Sequence, residues 1–429
     1  MQVRNRHRLT RELTENSLAL ILAGGNGSRL KHLTRWHAKP AIPFGGTYRT
    51  IDFSLSNCLH SGIRRIGILT QYKSYSLNRH IQRGWNFLNN GMGEFIDLLP
   101  AQKRLGEGWY SGTADAIYQN LDIIEEHAPQ FVVVLAGDHV YKMDYGDLLE
   151  QHVESGAEMT VGCVPVDIKT ARGLGVMAVD RQNRVFAFEE KPEHPRPMPG
   201  DSSLALASMG IYVFNTEFLR TQLIRDARDN QSSHDFGKDI IPRLVDQYPI
   251  HAYAFTDDNG EPAYWRDVGT VDHYWQANME LLGRNPALDV HDRYWPIWTY
   301  QEQLPPAKFL FDAQRGCQGL SVNSIVSNGC LLDGASVRNS ILFNDVIADT
   351  GTVISDSLIL PGARIGKDCR LNRVIVDQRC VIPDGTTIGV DPHLDAIRYH
   401  LSTGGITLVS DSGQTSNLGR DRQRITAVA

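Results

Sequence analysis

The last third of this 429-residue chain repeats an apolar residue every six positions: Ile341, Ile347, Val353, Ile359, Ile365 and Leu371. Ile325, Leu331 and Val337 precede the run, and Val376, Ile382 and Ile388 follow it in a shifted frame. Six is not a helical period, so these residues cannot form the apolar stripe of one helix. Gly and Asn or Asp fall between them, as in Pro361-Gly362-Ala363-Arg364-Ile365-Gly366, so each unit of six can supply one flat strand and one turn. Such coils bury their apolar side only by stacking. The pattern therefore predicts a parallel β-helix of hexapeptide units over 316–429. The alternative arrangement of so many short strands is an antiparallel sandwich.

The rest of the chain follows another rule. From Ser17 to about Leu282, short apolar runs (Leu18 to Leu22, Ile66 to Thr70, Phe131 to Leu135, Met159 to Val164) alternate with amphipathic stretches such as Ala114 to His127. Continuously apolar strands alternating with helices predict an α/β domain over 17–283 with a mostly parallel, Rossmann-like sheet, whose ligands gather at the carboxyl ends of the strands. Residues 284–315 hold several prolines, Pro305-Pro306 among them, and no period; they are expected to be a linker packed on both neighbours. Residues 1–16 carry Arg4, Arg6, Arg8 and Arg11 and are expected to be a flexible basic arm or a subunit contact.

At 41% hydrophobic residues the chain can fill two cores, and its formal charge of -6, mixed in sign, argues against a nucleic-acid surface. The basic start lacks the apolar region of a signal peptide, and no 18-residue apolar stretch occurs, so a cytoplasmic protein that does not span a membrane is expected. The six cysteines have no metal-ligand spacing and are expected to be reduced, mostly buried apolar residues; the fifteen histidines show no ligand pattern either.

Three segments place chemistry at strand ends. The run ending at Leu22 enters Ala23-Gly24-Gly25-Asn26-Gly27-Ser28-Arg29-Leu30, where glycines let the backbone approach a phosphate chain and Arg29 adds a cation. The spacing is neither that of a P-loop nor that of a dinucleotide fingerprint, and a Gly-rich turn by itself also suits a plain strand-to-helix connection. Asp138 follows the strand Phe131 to Leu135, and Asp267 lies in Tyr264-Trp265-Arg266-Asp267-Val268-Gly269-Thr270. Two carboxylates can share one Mg²⁺ with phosphate oxygens, although each alone also suits a turn or a helix cap. Glu189-Glu190-Lys191-Pro192 closes a further strand, with a lysine able to grip a phosphate and a carboxylate able to accept from sugar hydroxyls; elsewhere such a tetrapeptide is only a charged turn.

Lys39-Pro40-Ala41, ten residues beyond Arg29, together with Gly-Gly-x-Gly-x-Arg-Leu resembles the signature of the sugar-phosphate nucleotidylyltransferases. The likeness to their bacterial ADP-glucose pyrophosphorylase branch covers nearly the whole chain, through Ile51-Asp52-Phe53-Ser54-Leu55-Ser56-Asn57-Cys58, Gln82-Arg83-Gly84-Trp85, the block from Trp109 to Ala116, and Ser232-Ser233-His234-Asp235-Phe236-Gly237-Lys238-Asp239. It implies a nucleotide-diphospho-sugar transferase domain followed by a left-handed parallel β-helix. It also implies an allosterically regulated transferase that makes ADP-glucose and diphosphate from ATP and glucose 1-phosphate, the activated-glucose step of glycogen synthesis. Carried over residue by residue, Leu22, Ala23, Gly24, Gly25, Arg29, Lys39, Gln71, Gly112 and Thr113 match nucleotide positions; the last two are also expected to offer helix N-terminal amides. Tyr110, Gly175, Glu190, Lys191 and Ser208 match glucose 1-phosphate positions, Asp138 and Asp267 the metal-binding aspartates, and Gln71 and Trp109 positions that pass on regulation.

The mechanism so implied is in-line attack of a sugar-phosphate oxygen on the α-phosphorus of ATP. The attacking group is already an anion, so positioning and charge neutralisation by Arg29, Lys39, Asp138 and Lys191 suffice. Uridylyl, thymidylyl or guanylyl transfer keeps the same chemistry with another base. A catalytically silent regulatory subunit would lack charged groups that are all present here. An acyltransferase using the β-helix would want a histidine on a coil, and none occurs between Ser321 and Val390. Relatives activated by fructose 1,6-bisphosphate carry Lys-Arg at Trp36-His37, a histidine at Pro43 and two arginines at Glu125-Glu126, which leaves Arg49 as the one matching cation and implies weak or altered control by that ligand and by AMP. A homotetramer, built partly through the β-helix, is the assembly the resemblance implies.

Overall fold

The structure is a computed structural model that describes residues 2–25, 27–102 and 109–410, with only the backbone of Gln2, Val3, Arg4, Asn5 and His7; residues 411–429 of the expected β-helix segment lie outside the described residues. The central sheet uses β1 (Ser17–Leu22), β2 (Arg65–Thr70), β3 (Phe95–Pro100), β4 (Phe131–Ala136), β6 (Met159–Asp167), β7 (Gly175–Val179), β8 (Val185–Glu190), β9 (Leu204–Asn215) and β10 (Ile250–Ala254). A separate ribbon pairs β5 (His139–Tyr141) with β11 (Trp265–Asp267). The sheet runs β8-β7-β9-β4-β1-β2-β3, and β6 pairs with β9 and β10. β4, β1, β2 and β3 are mutually parallel, in register Ala19↔Ile66 and Ala19↔Val133, and β9 runs against them. Burial on both faces explains the continuous apolar sequence Ser-Leu-Ala-Leu-Ile-Leu of β1.

Nine α-helices are used below: α1 (Gln2–Glu15), α2 (Thr50–His60), α3 (Tyr75–Gly84), α4 (Thr113–Tyr118), α5 (Leu121–His127), α6 (Tyr145–Ser155), α7 (Thr216–Ala227), α8 (Ile241–Val245) and α9 (Val271–Met279). The segment expected as a flexible arm is α1, docked on α6. Arg6 reaches Glu150 at 2.8 Å and Asp147 at 3.1 Å, Thr10 donates to Glu150, and Leu13 is buried. The basic pattern hid the buried Leu13; Arg6 is answered by the acids of α6, and Arg11 by Glu15 of its own helix.

The β-helix is built of three sheets of parallel strands, two of which end in an antiparallel edge strand. Its first strand, Lys308–Asp312, lies inside the stretch expected as linker and pairs with Leu331–Asp333. The linker is therefore shorter, and it packs on both sides. Trp295 Nε1 donates to Asn57 and the Trp298 amide to Ser56 in the α/β domain, while Gly329 of the β-helix donates to the Pro305 carbonyl. The register differs from a strict period of six. Ile325 aligns with Ile341, sixteen residues on, and Ile341 with Leu358 and Leu358 with Ile375, seventeen residues on, so three units of six fall short by one or two residues each turn. Ala348 and Ile354 are consequently buried where Ile347 and Val353 were expected, and Val353 faces outward.

Candidate active site

The carboxyl ends of β1, β2 and β4 open into a cleft of about 550 Å³. Its wall on the side of β1 is Leu22, Gly24 and Gly25, continued by Gln71 after β2, Asp138 after β4, and Tyr110, Gly112 and Thr113 at the start of α4. Ala23 stands behind this wall, buried, with its amide given to Leu69 O at 2.9 Å. A side chain at Gly24 would meet Gln71 Cβ at 3.2 Å, which keeps that turn open beside the β2 loop. Gln71 Nε2 donates to the Tyr110 carbonyl at 3.3 Å, while Trp109 next to it is 61% exposed and off the wall.

Lys39 lies just outside the cleft, nearly buried, with Nζ 2.6 Å from Asp138 Oδ2 and 2.8 Å from Asp267 Oδ1. The β5–β11 ribbon makes this meeting possible by setting Asp267 opposite His139. Burial opposes both carboxylate charges, but Lys39 and His139 outweigh it, holding Asp138 down to about 2 and Asp267 below its ordinary range. Burial likewise works against the Lys39 ammonium, and the two carboxylates overcome it and raise its pKa. Arg29 is exposed; a side chain at Gly269 would stand 2.9 Å from Asp267 Oδ2 and 3.1 Å from Arg29 Nη2, so the guanidinium lies beside that carboxylate. Lys39 engages one oxygen of each carboxylate, and Asp138, His139 and Asp267 place ligand atoms within 4.8 Å of one another. Two hard carboxylates suit a divalent cation that keeps water in its shell.

The far wall is Gly175, Glu190 and Ser208, at the ends of β7 and β8 and at an irregularity in β9. A side chain at Gly175 would collide with the Phe188 ring at 2.8 Å and crowd Glu190 Oε2 at 3.1 Å. Lys191 is exposed at the rim with φ of 49° and pairs with Glu190 Oε1 at 2.5 Å. Phe188, Tyr212, Asp235, Phe236 and Gly237 also line this side, and none was singled out as a site residue from the sequence. Asp235 and Phe236 belong to the 232–239 block, which was legible only as a likeness. Structurally the block braces α4: Ala114 donates to the His234 carbonyl at 2.8 Å, Thr113 Oγ1 to Asp235, and the Phe236 amide to Thr113 Oγ1. A side chain at Gly112 would lie 2.1 Å from His234 O, so this crossing requires glycine. The α4 amide of Ala114 is thus satisfied by the chain itself.

A second cleft, of about 320 Å³, lies between the α/β domain and the β-helix. Arg49 lines it, together with Arg79 and Arg83 of α3 and Arg379 of the β-helix. His37 lies among Arg49, Arg79 and Arg379; burial first, and then those charges, hold it down to about 4 and so neutral near pH 7. No local period announces this cluster, because its members come from three distant segments. Asp52 sits beneath it with no exposure. It accepts from His80 at 2.6 Å, Trp85 at 3.0 Å and the Arg49 amide at 2.8 Å.

Comparison with known proteins matches residues 18–284 to the nucleotidyl transferase family and 305–409 to the GlmU-like C-terminal hexapeptide family. The chain is 56% identical over 404 residues to glucose-1-phosphate adenylyltransferase 2 of Alkalilimnicola ehrlichii, covering 94% of this chain and 95% of that protein. It is 56% identical over 415 residues to the glucose-1-phosphate adenylyltransferase of Methylobacillus flagellatus, covering 96% and 97%. The chain belongs to the glucose-1-phosphate adenylyltransferase family. The adenylyltransferase of Paramagnetospirillum magneticum, 56% identical over 400 residues, covers 92% of this chain and 93% of its own length. The adenylyltransferase architecture, a mostly parallel sheet followed by stacked parallel coils, is the one the chain adopts. Among the described residues no helix is long and apolar enough to cross a membrane.

Proposed function

We propose that the larger cleft joins ATP to glucose 1-phosphate by in-line displacement at the α-phosphorus, releasing diphosphate and ADP-glucose. The observation that carries this is the Lys39 ammonium held between Asp138 and Asp267 beside the Gly24-Gly25 turn. Lys39 and Arg29 neutralise the triphosphate, and Gln71, Tyr110, Gly112 and Thr113 form the wall on which the nucleotide lies, ahead of Leu22 and Ala23. Glu190 and Ser208 accept from and donate to the sugar hydroxyls above Gly175. Lys191 holds the sugar phosphate when its pairing with Glu190 opens. Asp138 and Asp267 hold Mg²⁺, which when bound supplies positive charge to phosphate oxygens. No general base is needed, because the attacking oxygen is already charged; positioning and electrostatics account for the rate.

The arginine cleft is the place for a small anionic effector, with Arg49 one of four guanidiniums instead of a lone cation. With His37 neutral, Trp36 exposed and Pro43 on the wall, a sugar bisphosphate meets fewer charges than the relatives' pattern provides. Gln71 and Trp109 flank the route from nucleotide to regulation, and a cytoplasmic homotetramer is the expected form. The deciding experiment is pyrophosphate release by the purified protein with Mg²⁺ and glucose 1-phosphate, comparing ATP, UTP, dTTP and GTP. Preference for ATP is expected; preference for another nucleotide moves the substrate assignment, and silence with all four favours a regulatory subunit.

A further inference from the structure

Helix α9 starts four residues after Asp267, and the connection has no slack. Gly269 fits against the Asp267 carboxylate so closely that a side chain would lie 2.9 Å from Oδ2, and Thr270 caps the helix by accepting the His273 amide at 3.2 Å. One face of α9 holds the turn just beyond Lys39-Pro40-Ala41: Tyr274 donates to the Pro43 carbonyl, and Asn278 accepts the Gly45 amide at 2.9 Å. The other side is bolted to the β-helix. Asp272 accepts from Ser402 Oγ, from Thr403 Oγ1 at 3.1 Å and from the Gly404 amide at 3.3 Å. Trp275 Nε1 donates to the Asp356 carbonyl at 2.9 Å, and the Arg373 guanidinium lies 4.8 Å over the Trp275 ring while donating to Gly404 O at 2.8 Å. A side chain at Gly404 would stand 2.5 Å from Asp272 Oδ1, so this turn is shaped to the carboxylate. The turn itself joins His400–Leu401 to Thr407–Val409, and the latter strand pairs in parallel with Val374–Val376 of the coil.

We propose that α9 is the lever by which the β-helix sets the spacing of Lys39 and Asp267, and that Asp272 is the positioning residue that couples them. The proposal rests on reading Lys39 and Asp267 as part of the reaction centre. Both ends of that ion pair are tied to α9, one through the Asp267-to-Val271 connection and one through Pro43 and Gly45, while Asp272 fixes the helix to a rigid stack of coils. Ion pairs that must meet phosphates tolerate little misplacement. The sugar wall at Gly175 and Glu190 hangs from β7 and β8 and is not attached to α9.

The test uses the full chain with Asp272→Ala and, separately, Ser402→Ala with Thr403→Val, which removes the two hydroxyl donors and leaves the carboxylate. Both are expected to lower kcat by about tenfold to a hundredfold with KM for glucose 1-phosphate changed less than about twofold, because the sugar wall stays in place. Both should raise hydrogen exchange over 39–45 and 265–275 but not over 175–179. Unchanged exchange over 39–45, or an increase spread evenly over the chain with a matching loss of melting temperature, overturns the lever. Lys39→Ala separates the two readings: full activity in that variant brings down the reaction-centre assignment, whereas an inactive Lys39→Ala beside unaffected Asp272 and Ser402/Thr403 variants brings down this proposal alone.

Discussion

The two clefts beside α2 carry opposite charge arrangements on one helix. Beside the reaction cleft a single ammonium is shared by two carboxylates, one of them on the cleft wall, leaving negative charge for a cation to meet. Four guanidiniums line the second cleft, and His37 is held neutral behind its wall by burial and by three of them. Helix α2 touches both: Thr50 donates to the Lys39 carbonyl at 3.1 Å, Ser54 to the Ala136 carbonyl at 2.9 Å, and Asp52 in the first turn takes the Arg49 amide and His80. A carboxylate near a helix N-terminus is favoured by the dipole, and Asp52, in the first turn of α2, ties that turn to His80 and Trp85. The contrast teaches that burial does not decide the sign of a site here; the partners supplied by distant segments do.

Breaking the acidic side should give the largest effect. Asp138→Asn removes one of the two partners of Lys39 and is expected to lower turnover about a hundredfold or more, as loss of a charge-positioning group does, with the melting temperature little changed. Pyrophosphate release and thermal unfolding on the same preparation check this, and near-full activity would remove Asp138 from the reaction centre. Asp52→Asn attacks the shared helix instead. An amide nitrogen must then face a donor, either the Arg49 amide or the His80 and Trp85 pair, and the unmet buried group should cost about 2–3 kcal/mol. A shift of the urea midpoint without a change of slope is the expected signature. On the basic side, Arg79→Ala should weaken binding of inorganic phosphate about tenfold as measured by calorimetry; unchanged binding would mean that the four guanidiniums do not act as one site.

What the sequence made legible follows how local each feature is. The β1 turn with Gly24 and Gly25, the carboxylate after β4 and the stacked coils depend on neighbours along the chain, and they could be read from composition and period. The coil repeat of sixteen or seventeen instead of eighteen could not, because a slip of one or two residues per turn is hidden when any apolar residue falls near the expected position. Asp267 could be offered from the sequence only as a possible second carboxylate, and resemblance alone joined it to Asp138, since the two meet by strand pairing across more than a hundred residues. The arginine cleft was missed for the same reason: Arg79 and Arg83 look like the polar face of a helix and Arg379 like a coil corner until the two domains pack. Residues 1–16 misled in the opposite sense, because the arginines were visible and the acids of α6 that receive Arg6 were not.

The smallest effect tests whether the histidine buried beside the second cleft is neutral. Burial and the neighbouring arginines hold His37 at about 4, below its ordinary 6.5, so between these values the unfolded chain binds the proton and the folded chain does not. Stability should therefore fall as pH is lowered from about 6.5 toward 4, by up to about 1.4 kcal/mol per unit from this residue, and flatten below. His152, buried and also held at about 4, adds a second contribution of the same sign, whereas Asp377, pushed up to about 6 by burial, gains its proton on folding and works against both. Comparing the parent with His37→Gln cancels those two contributions: the variant should show a shallower acid limb in urea unfolding across this window. An unchanged slope would place a fifth positive charge beside the cleft near pH 6, and the expectation of weak response to a sugar bisphosphate would then lose its physical basis.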